Sequence, residues 1–358
     1  MRIPWKWLAA AVPVSLLVAC SDQSTAPKTA QVSPGARASF SSPRTVAIKD
    51  LGTLGGATSY ARAINNEGWV VGQSDVVQAG ATHAFLWRDG KMMDLGTLGG
   101  TSSSAIGIND EGQVVGTSEI AGDAVSHAFL WSHGRMTDLG GLGGDYAGAY
   151  AEAYDINDAG DVAGDGNRAD GLFHAGLWRH GRVTDLGTLG GDYSWSNGIG
   201  NGDVVVGGAA LALDSAEHAF LWRDGVMHDI GSLGGHMAGA SHINGNGAIA
   251  GGSTTTGDVA MHAFLWQHGR WTDLGTLGSA YTYSYAQWIN DWGQVAGGSC
   301  SPAACHAFLW SNGAMVDLGI LPGGADYSWA QAVNDLGQVV GQANTAGGLG
   351  HAVIWTTR

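Results

Sequence analysis

The sequence predicts an all-β protein, a seven-bladed β-propeller with four strands in each blade of about 44 residues. Three observations predict it. One unit recurs seven times, each copy holds four short strand-like runs, and the two ends of the repeat region are complementary fragments. Composition agrees. Sixty of the 358 residues are Gly, against an average near ~7%, and Gly this frequent breaks long helices, which excludes an α-bundle. Fifteen Trp and a 44% apolar content exclude wholesale disorder. No strict Gly-X-Y period is present, so the chain is not collagen-like. A formal charge of −15 without a basic patch argues against a nucleic-acid partner. At ~150 residues per domain the length points to two domains, but the repeats reduce these to one.

The repeats are read from three markers that stay in register. Asp-Leu-Gly, once Asp-Ile-Gly, begins at Asp50, Asp94, Asp138, Asp185, Asp229, Asp273 and Asp317, with spacings of 44, 44, 47, 44, 44 and 44. His-Ala-Phe-Leu-Trp or a near variant begins at His83, His127, His174, His218, His262, His306 and His351. Ile-Asn-x-x-Gly-x-Val-Val-Gly and its variants lie between them. In the second unit the strand-like runs are Ser104 to Asn109, Gln113 to Ser118, His127 to Trp131 and Arg135 to Leu139. Asn109-Asp110-Glu111-Gly112 and Ser132-His133-Gly134 read as tight hairpin turns. The region opens with Val46 to Gly52, a fourth strand without its first three. It closes with His351 to Trp355, a third strand without its fourth. Joined, they complete the C-terminal blade, close the ring and remove its free edge, whereas an open solenoid needs capping units. With no edge left over, a monomer is expected.

Arg2 and Lys6 precede an apolar stretch from Trp7 to Val18, too short to span a bilayer but fitting the core of a secretory signal. Leu17-Val18-Ala19-Cys20 resembles the lipobox of bacterial lipoproteins. The resemblance implies a signal peptide at 1–19, lipidation of Cys20, attachment to the membrane through that lipid, and, with Ser21 following, the outer membrane of the cell envelope. Residues 20–44, rich in Ser, Ala, Pro and Gln, read as a flexible tether, leaving 45–358 as the propeller. In an oxidising compartment Cys300 and Cys305 are candidates for a local disulfide. Cys300, Cys305 and His306 can also be drawn as a metal site, but the six counterparts of His306 have no neighbouring Cys, so neither metal nor cofactor is expected.

The repeated His-Ala-Phe-Leu-Trp and Asp-Leu-Gly-Thr-Leu-Gly-Gly resemble the HAF-type probable extracellular repeat family of secreted bacterial proteins, over about residues 46–355. The resemblance implies export and repeat architecture, and carries no biochemical activity. Departures occur at His174-Ala-Gly-Leu-Trp178, at Gly200 in place of the marker Asn, and at Ser279 in place of the second Gly.

A residue present in every blade is better explained by blade construction than by a site, so the repeated His, Trp and Asp are read as scaffold, with His bonded to backbone or to the repeated Asp. The Gly-Gly pairs lack the helix and Lys of a phosphate loop. Asn-Asp-x-Gly lacks the spaced carboxylates of a Ca²⁺ loop. Function is therefore sought where the copies differ. The connections after the second and fourth strands, such as Asp165 to Phe173 and Gly208 to Glu217, read as long and irregular, and both sets fall on one face. All nine Tyr lie between the Gly-Gly and Ile-Asn markers: Tyr60, Tyr146, Tyr150, Tyr154, Tyr193, Tyr281, Tyr283, Tyr285 and Tyr327. Four residues before the marker Ile or Val stand Tyr60, Trp195, Tyr285 and Trp329, and six before it stand Tyr150, Tyr193, Tyr283 and Tyr327. Even separations place them on one side of an extended segment. These eight are the candidate ligand-binding residues, since Tyr and Trp suit sugar rings or peptide partners; the competing reading is that they cap the core between blades. Immediately before the marker stand Ala63, Gly107, Gly198 and Ala332, but also Asp155, His242 and Trp288. These would point into a central channel, where an acid and a base have chemical potential, although one blade separates Asp155 from His242. The expectation is an exported, lipid-anchored module that binds a glycan or protein through its loop-rich aromatic face. The alternative is a polysaccharide lyase or hydrolase at the channel mouth, and the blandest reading is a scaffold without ligand.

Overall fold

The computed structural model describes residues 46–78, 80–143 and 149–357. The expected signal peptide, Cys20, the tether and Tyr146 lie outside these residues. Among the described residues there are 28 strands, from Val46–Asp50 to Gly350–Thr357, two 3-10 turns and no α-helix. The strands form antiparallel four-stranded meanders in chain order. The second runs Gly99–Ile108, Val114–Ile120, Ser126–Ser132 and Arg135–Gly140. Single parallel bridges, such as Glu217 with Met237 and Met261 with Tyr283, join neighbouring meanders. In the last meander, Ser328–Val333, Gln338–Asn344 and Gly350–Thr357 are completed by Val46–Asp50 from the other end of the repeats, with Val46 opposite Thr357 and Asp50 opposite Val353.

The first strand of the second unit begins at Gly99, five residues before the expected Ser104. Its Gly-Gly pair explains this. Gly99 has φ +108°, and a Cβ on Gly100 would lie 2.6 Å from that of Glu119, so only Gly lets the strand start this close to the next hairpin. Where Ser279 replaces the second Gly the first strand starts only at Tyr283, and two copies that keep the pair also start late, at Ala151 and Ser328. The Asp89-Gly90 turn between third and fourth strands has φ values of 52° and 76°, the geometry of a two-residue hairpin turn.

Seams between meanders are closed by three recurring devices. Apolar residues come from both sides: Ala63, Val71 and Leu86 of the first meander pack with Ala105, Ile108 and Phe129 of the second. A buried Ser on the first strand stitches backbone to backbone. Ser194 Oγ accepts from Ala175 N at 3.0 Å and donates to Gly187 O at 2.6 Å, and Ser59, Ser103 and Ser284 repeat the arrangement. The marker Asn forms the third. Asn65 Nδ2 donates to Asn109 O, Asn109 Nδ2 to Asn157 O, Asn244 Nδ2 to Asn290 O and Asn290 Nδ2 to Asn334 O. Asn334 Nδ2 in turn donates to Asn65 O at 3.0 Å. Gly200, the one copy without the Asn, only accepts, at 3.5 Å from Asn157.

One expectation is corrected. The connections after the second strands are five-residue hairpin loops in six copies, for example 212–216, and a four-residue loop at 301–304. The strands run on into the segments that read as irregular, and bonds such as Leu211 N to Ala216 O, 2.9 Å, close the hairpins. Connections that do lengthen among the described residues follow fourth strands, as at 276–282 and 318–327.

Candidate ligand-binding site

The repeated His and Asp are consumed by the scaffold. In every copy His Nδ1 meets the Asp carboxylate eleven residues on, or Asp50 in the case of His351, at 2.6 to 2.9 Å. The same carboxylate accepts from the N–H of the Gly two residues later, as Asp229 does from Gly231 at 2.7 Å. Burial works against ionised Asp229, but the bonds and charge of His218 outweigh it and hold the carboxyl below its ordinary range. Each pair thus locks the third strand to the fourth.

The structure brings together the three odd residues of the channel position. His242 stacks on Trp288 with ring centroids 3.6 Å apart and planes 18° from parallel. His242 Nδ1 lies 3.1 Å from Ile289 O, which assigns the ring proton to Nδ1 and turns the Nε2 lone pair toward Asp155 Oδ2 at 3.5 Å. Asp155 also accepts from Ile156 N and Ile199 N, both at 2.9 Å. The contact spans a blade because Gly198 intervenes without a side chain: a Cβ there would lie 2.9 Å from His242 Cα. Asp155 is 3% and His242 9% exposed. Burial raises the Asp155 carboxyl to about 7 and lowers the imidazole to about 3. Asp155 and His242 form a buried plug that holds one proton between them, and half-buried Trp288 covers the imidazole.

The eight aromatic candidates divide among different surroundings. Tyr285 and Trp329 lie over Gly252 and Gly298 of the preceding meander, where any Cβ would overlap their rings. Trp195 turns the other way, onto Gly208 and Gly239. Tyr60 is bonded by Gln331 Nε2 across a seam and carries the Arg62 guanidinium 4.7 Å above its ring. These four, all at the inner of the two positions, therefore take part in packing between meanders. Tyr193, 36% exposed, donates to Glu217 Oε2 at 3.0 Å. Tyr150 donates to Glu152, as does Tyr154 at 2.8 Å. Glu152 is the cross-strand neighbour of Asp165, which is 2% exposed and held well above the usual carboxylate range by burial and by the Glu152 charge. The sequence reading missed Glu152 and Asp165; Asp165 replaces the uncharged Gly, Gln or Thr of other copies, and that departure was the available signal.

The remaining aromatics gather at one seam. Tyr283 and Trp329 have ring centroids 6.4 Å apart. Nearby, Tyr281 faces His306, centroids 6.1 Å apart. His306 bonds Asp317 through Nδ1 at 2.6 Å and Asp326 through Nε2 at 2.7 Å. Burial opposes the charged ring, but the two carboxylates outweigh it and raise the imidazole above its ordinary value. A disulfide joins Cys300 to Cys305, closing the loop beside them. Between this loop and residues 325–327 lies a cleft of about 420 Å³ whose walls include Ser301, Pro302, Asp326, Tyr327 and Asn344. Of the expected ligand residues, Tyr327 lines this cleft. No group of His, Cys, Asp and Glu among the described residues is arranged to hold a metal.

No family model matches the chain, and no curated protein does. Among solved structures it is similar to the β-propeller domain of the Trilobed protease from Pyrococcus furiosus, with a TM-score of 0.57 and 11% identity over 84% of this chain and 97% of that one. It is also similar to a puromycin-hydrolyzing peptidase of Mycobacterium tuberculosis, with a TM-score of 0.54 and 13% identity over 82% of this chain and 52% of that one. At such identities the likeness speaks to the fold alone, and that fold is a β-propeller.

Proposed function

We propose that the chain is an exported, lipid-anchored binding module, a closed seven-bladed ring that takes a glycan or protein ligand on the face bearing the 301–304 loop. Closure is supported by Asn334 bonding Asn65 and by Val46–Asp50 completing the last meander. The binding reading is carried by one observation: at a single seam the loop closed by Cys300 and Cys305, a pair no other copy has, faces Asp326 and Tyr327 across an open cleft. We place the chain with the HAF-type extracellular repeat proteins on its motifs, anchored by Cys20 in the outer membrane. Replacing Cys20→Ser is then expected to move the protein from membrane to soluble fractions. A glycan array and an envelope-fraction pulldown with the full chain, against Tyr327→Ala and a Ser215→Ala control, test the site. Binding lost in the first variant alone supports it, and binding equal in both overturns it.

The enzyme alternative loses the acid and base first read for it, because Asp155 and His242 are buried in the plug. One observation still favours a second reading. Half-buried Glu152 lies beside Asp165, whose carboxyl is held well above the usual range by burial and by the Glu152 charge, which is the pattern of an acid and base pair. Polysaccharide turnover abolished by Asp165→Asn would promote that reading over the first.

A further inference from the structure

We propose that the cleft between the Cys300–Cys305 loop and residues 325–327 is a subsite for a neutral pyranose. The inference rests on the binding reading above and names its ligand class. At about 420 Å³ the cleft falls within the ~300–1,000 Å³ of small-ligand sites. Pro302, Ala303 and Cys305 supply apolar lining, to which half-buried Tyr327 adds. Such a surface receives the C–H face of a sugar ring. Polar residues line the same cleft. Asp326 Oδ1 accepts from His306 Nε2, while among the described residues its Oδ2 carries no hydrogen bond. The Asn344 side-chain amide and the Tyr327 hydroxyl carry no hydrogen bond among the described residues, although the two residues are joined by Asn344 N donating to Tyr327 O at 3.1 Å. A carboxylate acceptor beside an amide that both donates and accepts matches two adjacent sugar hydroxyls.

The charges favour a neutral ligand. No Lys or Arg lines the cleft, and Asp326 and Asp317 both lie close by, so an anionic sugar meets repulsion. An amine gains little, because the His306 imidazolium already faces Asp326. The groups are also held in place before a ligand arrives, which lowers the cost of binding. Ser301 Oγ accepts from Ala303 N at 3.2 Å and Ala304 N at 3.0 Å inside the disulfide loop. Asp326 is fixed by His306, and His306 by Asp317.

The test is saturation-transfer NMR and calorimetry on the full chain with methyl glycosides of glucose, galactose, mannose and N-acetylglucosamine, and with glucuronate and glucosamine as charged comparisons. At least one neutral glycoside is expected to bind. Tyr327→Ala and Asn344→Ala are each expected to weaken it about ten-fold, a loss on the order of 1.4 kcal/mol, while Ser215→Ala leaves it unchanged. Where Tyr327→Ala lowers the melting temperature, Tyr327→Phe, which removes only the hydroxyl, and Asn344→Ala carry the reading. Pyranose binding that survives the Tyr327 and Asn344 substitutions overturns the subsite but spares the binding module. Protein capture without binding of any pyranose overturns the sugar class, and preference for glucuronate or glucosamine overturns its neutrality. Absence of any glycan or protein ligand overturns both.

Discussion

Replacing Ser194 by Ala tests the stitching of the seams. Ser194 is fully buried and its hydroxyl serves two backbone groups of the preceding meander, Ala175 N at 3.0 Å and Gly187 O at 2.6 Å. Ala keeps the volume of the Cβ but removes both partners. An N–H left unmet in the interior costs about 1–3 kcal/mol. The Gly187 carbonyl belongs to a half-buried residue, so water recovers part of its bond and its loss adds about 0.5–1 kcal/mol. The expected destabilisation is therefore roughly 1.5–4 kcal/mol, or about 2–6 °C in melting temperature for a domain of about 310 residues. Thermal and urea unfolding followed by Trp fluorescence measure it, with the exposed Ser215→Ala as reference. The repeats supply a reciprocal experiment. Ala238 occupies the equivalent position in the next meander, nineteen residues after Ala219 and seven after Gly231, so Ala238→Ser is expected to add a stitch worth about 1 kcal/mol. A Ser194→Ala loss no larger than that of Ser215→Ala would refute the reasoning.

The channel pair makes a prediction about acid. Asp155, raised from 3.8 to about 7, contributes stability present at low pH and lost as the pH rises toward 7. His242, lowered from 6.5 to about 3, contributes stability present above 6.5 and lost as the pH falls. Together the effects nearly cancel between pH 4 and 6.5, since folded and unfolded pairs each hold one proton. Asp155→Asn is expected to make the protein lose stability steadily below about pH 6.5, and His242→Gln to make it lose stability from about pH 4 to 7; parallel urea midpoints for all three proteins would sink the shared-proton account. His306 has a raised pKa, so its contribution is complete below the ordinary His value and fades as the pH climbs through the folded one. His306→Gln should flatten that alkaline decline in melting temperature, and an unchanged slope counts against the Asp317–His306–Asp326 bridge. The short Cys300–Cys305 loop predicts a loss of about 2 kcal/mol on reduction, read as a lower urea midpoint in dithiothreitol and absent from a Cys300→Ser/Cys305→Ser variant. Trp329→Ala, which empties a seat over Gly298, should cost about 3–5 kcal/mol. Tyr193→Ala should cost far less, and equal costs would contradict the division between packing and exposed rings.

Much of the fold was legible because its hydrogen-bonded partners recur at constant separations. The His to Asp separation of eleven residues, as in His83 and Asp94, returns a bond in each unit, and its constancy identified the pair as scaffold. The complementary ends were legible for the same reason: Val46–Asp50 has the pattern of a fourth strand, and the structure pairs it with Gly350–Thr357. The loops were misread because strand continuation after Ser118 or Gly208 depends on a hairpin partner across the turn, which polarity along the chain does not reveal. The role of the aromatic rings was open for a related reason. Periodicity placed Tyr285 and Trp329 on one side of a strand, but not which neighbour lay against that side.

By itself, the sequence determined the unit, its strand order and the chemistry repeated in every copy, since those depend on residues within one hairpin or a fixed step of about 44 residues. Tertiary structure alone decided what the exceptions do. Asp155 meets His242 only because Gly198 between them has no side chain to interpose. Residues 301–305, 325–327 and 344 form one cleft only because two meanders converge at their seam. Register repeats along a chain and can be counted there, whereas contact across a seam depends on the shape of both surfaces.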